Sequence, residues 1–268
     1  MSMGAANLLV ELFVEELPPK ALKKLGEAFA SVLSETLKSQ GLAAADATVK
    51  AYASPRRLAV QVAGVAAKAA DKAQQVKLMP VTVALTPDGQ PTPALLKKLA
   101  ALGADASVVP QLQRAPDGKA EALFLDSLVP GATLAEGLQK ALAEAIAKLP
   151  IPKVMQYQLA DGWTSVHFVR PAHGLVALHG DQVVPVSALG LQAGRTTTGH
   201  RFEAATPTIT LKSADSYAQQ LRDEGAVIAS FAERRAELVR QLDAAAAKEG
   251  LKPIEDEALL DEVTALVE

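Results

Sequence analysis

The 268-residue sequence has no cysteine, a single tryptophan and only 4% aromatic residues. The missing thiols exclude a disulfide framework, a thiolate metal site and a cysteine nucleophile, and they fit a reducing compartment. No apolar run approaches the ~18–20 residues that cross a bilayer. The first residues carry neither the basic region, the apolar core nor the cleavage site of a secretory signal. A cytoplasmic location with no membrane partner is therefore the expectation. A dominant charge is also missing, since 27 basic and 30 acidic side chains give a net charge of −3. Six of the acids (Glu255, Asp256, Glu257, Asp261, Glu262 and Glu268) fall in residues 255–268, which hold no Lys or Arg. The rest of the chain is close to neutral. A nucleic-acid role would need a local basic patch, because phosphate contacts dominate such affinity.

What is present suffices for packed cores, with 49% apolar residues, although alanine supplies 52 of them. Leu8 to Val14 is an apolar run with a central acid and reads as a strand. Pro18 and Pro19 end it, and Pro19 suits the first turn of a helix. From Lys20 to Gln40 the apolar positions Leu22, Leu25, Phe29, Val32, Leu33 and Leu37 trace an amphipathic helix that Gly41 would stop. Val49 to Val65 reads as a strand broken at Ser54-Pro55. Residues 66–80 read as a polar connector, and Val81–Leu85 as a short strand. Thr86-Pro87-Asp88-Gly89 signals a turn, Pro93 to Leu102 a short helix, and Val108–Arg114 with Glu121–Leu128 a hairpin. Leu134 to Leu149 stripes another helix. Short strands are expected at 166–169, 175–178, 183–186 and 208–211, and helices at 213–222, 230–248 and 258–267.

This order predicts an α+β fold of mixed or antiparallel sheets with flanking helices, in two lobes plus a C-terminal helical segment. Residues 1–65 would form a strand–helix–strand part completed by strands from 151–212. Residues 66–150 would be an inserted α+β lobe, and 213–268 the helical segment. The last helix stops without a cap or polar tail, so a longer parent protein is expected.

Phosphate-loop, nucleophile-elbow and zinc-helix motifs are missing. Gly190 to Gly194 reads as turn chemistry. The four histidines, His167, His173, His179 and His200, come without a carboxylate cluster and read as strand-end or surface residues. No catalytic, cofactor-binding or metal residue is assigned. Glu11, Glu15 and Glu16 admit two readings, acid–base work by carboxylates of divergent pKa or plain salt bridges and helix-end acids. Three basic groups stand out. They are Arg56 and Arg57 beside Pro55, Arg170 after Phe168, and Arg195 with His200-Arg201 around a Gly-rich stretch before Phe202. The planar guanidinium suits phosphate; the competing reading is an arginine held by a carboxylate inside the fold. Glu233, Arg234, Arg235 and Glu237 read as a charged face of a long helix.

Five blocks, in order, carry a resemblance: Leu9 to Leu22 with its Glu15-Glu16-Leu17-Pro18-Pro19-Lys20 core, Ser54 to Ala59, Lys148 to Met155, Val166 to Pro171, and Gly199-His200-Arg201-Phe202. Together they resemble the bacterial glycyl-tRNA synthetase beta subunit, departing from it at Phe13-Val14, where that family often has Gly-Thr. The resemblance implies one chain of a tetrameric alpha/beta glycine–tRNA ligase. The active site, with its ATP, glycine and Mg, would lie on the alpha chain. This chain, lacking the HD-like and anticodon-binding modules, would support binding of glycine tRNA and assembly with the alpha subunit. No cofactor is implied in this stretch, and no catalytic residue carries over. Arg56, Arg57, Arg170, Arg195, His200 and Arg201 become candidate tRNA contacts. The alternative is a structural module that docks the alpha subunit or later beta domains without touching RNA, through an apolar strip along Leu238, Leu242, Leu251, Leu259, Val263 and Leu266.

Overall fold

A computed structural model describes residues 4–118 and 120–268. It is an α+β fold with antiparallel strand pairing throughout its sheets. Two compact units emerge, one made of residues 1–69 and 132–268, the other of residues 70–131.

The larger unit begins with β1 (Ala6–Val14), α1 (Pro19–Ser39), β2 (Val49–Ser54) and β3 (Arg57–Val65). Leu8, Val10, Leu12 and Val14 face one side of the sheet and Leu9 the other, and all are buried. A strand covered on both faces reads as a continuous apolar run, not an alternating one. Pro19 opens α1 and Gly41, at φ +74°, follows its end. Leu22, Leu25, Phe29, Leu33 and Leu37 are fully enclosed along one stripe of α1. Each such side chain contributes about 1.5–3 kcal/mol by burial. Gly26 lets this helix approach β2, since a Cβ there would lie 2.6 Å from that of Ala53.

In the smaller unit, β4 (Lys72–Pro80) leads into α2 (Val81–Ala84) and α3 (Pro93–Ala101). A 3-10 turn (Ala106–Gln111) follows, then β5 (Gln113–Asp117) and β6 (Ala120–Val129). The sheet order is β4-β6-β5, over a core of Leu78, Ala84, Leu95, Leu99, Leu123 and Leu125. Three expectations are corrected here. The polar connector over 66–80 contains β4, whose Lys72, Gln74, Gln75 and Lys77 are exposed or paired at the surface while Leu78 alone of its residues is buried. An edge strand with so little core contact has no apolar alternation to betray it. Val81–Leu85 is one helical turn, because Pro80 starts it and Ala84 packs into the core. Pro110 lies in the 3-10 turn, so β5 begins only at Gln113.

The inserted lobe expected over 66–150 is also narrower. α4 (Leu134–Ala147) packs on α1 in the larger unit, burying Leu134, Leu138, Ala141, Leu142 and Ala145 in the same core. A Thr133/Glu136 capping box starts it. Beyond it come β7 (Met155–Gln158), β8 (Ser165–Phe168), β9 (Ala172–His179) and β10 (Gln182–Val183), then the short strands β11 (Ser187–Ala188), β12 (Leu191–Gln192), β13 (Thr196–Thr198) and β14 (Thr208–Thr210). The central sheet runs β10-β9-β1-β3-β2. α1 and α4 cover one face. The other meets Ile209, Leu211, Tyr217, Leu221 and Val227, contributed by β14, α5 (Tyr217–Asp223) and flanking segments.

The chain ends with α6 (Phe231–Lys248) and α7 (Glu257–Thr264). Arg234, read from the sequence as part of a charged helix face, is buried instead. Its guanidinium donates to the carbonyls of Ala53 (2.8 Å), Ile228 (2.7 Å) and Thr264 (3.0 Å), and burial lowers its pKa to about 10. Leu242, Leu251, Leu259 and Leu266 are exposed. Among the described residues no helix is long and apolar enough to cross a membrane.

Candidate functional site

The period-two alternation that sends Leu8, Val10 and Leu12 toward α1 sends Leu9, Glu11 and Phe13 to the opposite face. Glu11 is 1% exposed there. Its carboxylate accepts hydrogen bonds from the hydroxyls of Thr197 and Tyr217, the latter at 2.5 Å. Arg57 is fully enclosed, with Nε 4.0 Å from Glu11 and Nη2 donating to the Thr198 carbonyl at 2.7 Å. Its Nε and Nη1 have no hydrogen-bond partner among the described residues. Burial first, then the Glu11 charge, pushes the Tyr217 phenol well above its ordinary pKa.

Arg56, 6% exposed, points to the neighbouring loop. It donates to the Gly199 carbonyl at 2.9 Å and makes two hydrogen bonds to Glu268, at 2.8 and 3.1 Å. Burial works to lower its pKa, but the bonds and charge of Glu268 outweigh this and raise it. The guanidinium carbons of Arg56 and Arg57 stand 5.4 and 5.6 Å from the centre of the Phe13 ring. Arg170 donates to the Glu16 carbonyl at 2.8 Å. Arg201 reaches Glu15 at 3.5 Å and Glu16 at 3.3 Å, with 54% of its side chain exposed. Glu15 also meets His173 at 2.8 Å. His200 Nδ1 accepts the backbone N–H groups of Phe202 (3.2 Å) and Glu203 (3.0 Å), which fixes the loop and leaves Nε2 as the proton-bearing nitrogen of the neutral ring. Phe202 is 85% exposed.

Five of the six candidate residues thus gather around the end of β1: Arg56, Arg57, Arg170, His200 and Arg201. Arg195 does not join them. It donates to the Asp181 carbonyl beyond β9. The five divide by burial. Arg56 and Arg57 are interior residues held by carboxylates, while Arg170, His200 and Arg201 reach the surface. Of the two readings of Glu11, Glu15 and Glu16, the geometry realises the salt-bridge one. Arg56, Arg57 and Arg201 pair with the carboxylates of Glu268, Glu11, Glu15 and Glu16, whereas among the described residues Arg170 meets only the Glu16 main chain and the Met155 sulfur, so the site is a largely neutralised cluster with a cationic and aromatic rim, not a bare basic patch. Among the described residues no group of three or more His, Asp or Glu side chains is placed to hold a metal ion. Tyr217, Thr197 and Glu268 lie far from β1 in sequence, and no local signal pointed to them.

Residues 8–268 match the family model described as glycyl-tRNA synthetase beta subunit. The chain is 77% identical over 266 residues to the glycine–tRNA ligase beta subunit of Leptothrix cholodnii, covering 99% of this chain and 37% of that one. It is 70% identical over 269 residues to the protein of the same description from Acidovorax ebreus, with 99% and 37% covered. With that of Thiobacillus denitrificans the identity is 68% over 266 residues, with 99% and 38% covered. The chain spans little more than a third of the length of the curated relatives it matches.

Proposed function

The chain belongs to the glycyl-tRNA synthetase beta subunit family, and from that premise we propose that it supports tRNA binding and assembly in a cytoplasmic alpha/beta glycine–tRNA ligase. In this reading the alpha subunit holds ATP, glycine and Mg and forms the aminoacyl bond. The beta chain presents glycine tRNA to it.

The observation that supports RNA contact is the loop after Gly199, where exposed Arg201 and Phe202 stand side by side on a backbone anchored from beneath by Arg56. A guanidinium grips phosphate, and an exposed ring stacks on a base. Arg56 and Arg57 act as positioning residues in this scheme. They hold the loop and β13 and do not reach the ligand. Because Glu15 and Glu16 share the Arg201 charge, phosphate must displace part of an existing pair, and affinity from this loop alone is modest.

The test is tRNA affinity of the complete alpha/beta complex across a salt series. Arg201→Ala is expected to weaken binding and to reduce the log–log salt slope by about one phosphate contact. Glycine-dependent ATP–pyrophosphate exchange, which needs no tRNA, should stay intact. An exchange defect as large as the binding defect, or an unchanged slope, would remove Arg201 from the interface.

A further inference from the structure

Next to the neutralised cluster, where β1 and β9 meet the threonine-rich β13, lies a cavity of about 340 Å³. That volume is at the small end of ligand pockets and fits one ring system with its sugar. Phe13 contributes an aromatic wall. Gln192, Thr196, Thr198 and Thr208 also line it, and none of these four side chains is engaged in a hydrogen bond with another described residue, whereas the Thr197 hydroxyl is committed to Glu11. The lining includes no Lys or Arg, and its only ionisable side chain is His173, already bound to Glu15. A phosphate or carboxylate would find no counter-charge here. A neutral planar ring with donors and acceptors on its edge would find both a stacking surface and partners.

Two glycines keep the space clear. Gly174 pairs with Phe13 across the β1–β9 ladder, and a Cβ on it would sit 3.4 Å from the Phe13 Cβ. A Cβ on Gly194 would meet nothing within 4 Å, and no positive φ ties that position to glycine. His173 on the cavity wall and Arg201 share the Glu15 carboxylate, so the Arg201 loop lies beside the cavity and a nucleotide whose base enters it would have a cation close by for its phosphate.

Resting on the tRNA-binding reading above, we propose that this cavity receives a single unstacked nucleobase of the bound RNA. Recognition is by stacking and edge hydrogen bonds, with charge supplied only by the neighbouring loop.

Gly194→Leu fills the cavity from a position where the added side chain enters open space. Thr198→Val removes one hydroxyl at constant shape and serves as the milder second variant. Each is made in the complete alpha/beta complex, checked for native circular dichroism and melting, and titrated with transcribed glycine tRNA by fluorescence anisotropy in a salt series. Loss of one stacked base predicts about tenfold weaker binding for Gly194→Leu, and loss of one hydrogen bond a few-fold effect for Thr198→Val. The salt slope should stay at the wild-type value in both, because no phosphate contact is lost. Wild-type affinity in a folded Gly194→Leu complex overturns the cavity proposal and leaves the tRNA-binding reading standing. Failure of the wild-type complex to bind tRNA overturns both. A parallel titration with free adenosine and cytidine separates the sources. Saturable nucleoside binding abolished by Gly194→Leu, with tRNA affinity untouched, would make the site one for free nucleosides and refute its assignment to RNA.

Discussion

Replacing Glu11 with alanine should be among the most damaging single changes in the larger unit. The carboxylate is enclosed, accepts two hydroxyl hydrogen bonds and is the acid nearest the Arg57 guanidinium. Without it Arg57 keeps one hydrogen bond, to the Thr198 carbonyl, while already holding two nitrogens unbonded among the described residues. Breaking a buried pair from one side leaves an uncompensated charge and costs about 3–5 kcal/mol. That approaches the whole stability of a modest domain, about 5–15 kcal/mol. Urea unfolding followed by far-ultraviolet circular dichroism measures it. The double variant Glu11→Leu/Arg57→Met supplies the control. Exchanging both charges for apolar groups of similar size removes two desolvation penalties together, so it should be more stable than Glu11→Ala. A loss below about 1 kcal/mol for Glu11→Ala would refute the reasoning, since that is the scale of an ordinary exposed pair. A double variant as unstable as the single one would refute it too.

Alkaline pH should unfold the chain through its buried phenols. Burial raises the pKa of Tyr217 and, to a lesser extent, Tyr52, with Glu11 adding to the first and Glu233 to the second. The folded state keeps protons that the unfolded chain releases. This stabilisation is complete below the unfolded value of about 10 and is lost as pH rises from there toward the folded values. Phenolate absorbance from Tyr217 should therefore appear together with the loss of circular dichroism, and Tyr217→Phe should flatten the pH slope. Free titration near pH 10 in a still-native chain would contradict this. At Gly199 a Cβ would lie 2.6 Å from the Gly225 Cα and 2.8 Å from its carbonyl oxygen, so no side-chain rotation can relieve the clash. Gly199→Ala should cost about 1–3 kcal/mol and weaken tRNA binding by shifting the Arg201 loop. Unchanged melting and affinity would show that this close approach is dispensable.

Much of the larger unit was legible because its apolar spacing is strong. β1, α1 and the two strands around Ser54-Pro55 follow from runs and stripes that a covered sheet and an amphipathic helix require. The smaller unit was harder to read. β4 presents lysines and glutamines to solvent, and its strand character comes from pairing with β6, some fifty residues away. Arg234 was misread for a related reason. Its neighbour Glu233 does face outward and Arg235 is half-buried between Glu257 and Asp261, while the close packing of β2 and α7 against α6 makes Arg234 a buried hub. Helical periodicity marks the buried stripe by apolar residues, and an arginine that spends its donors on carbonyls escapes that rule.

The site shows the same division between what is local and what is not. Arginine next to proline or glycine marks where guanidinium groups occur. Whether each is free depends on which carboxylate the fold brings to it. Glu11 captures Arg57 across the sheet, and Glu268 captures Arg56 from the far end of the chain. Arg201 keeps more than half its side chain exposed although Glu15 and Glu16, just beyond β1, both meet it, and Glu15 is shared with His173. The surface charge available to RNA is therefore what remains after interior pairing, and it is small. A chain with net charge −3 can then hold RNA here only if shape and stacking supplement charge. For that reason filling the cavity beside Phe13 should weaken tRNA binding without changing its salt dependence, while removing Arg201 should change both.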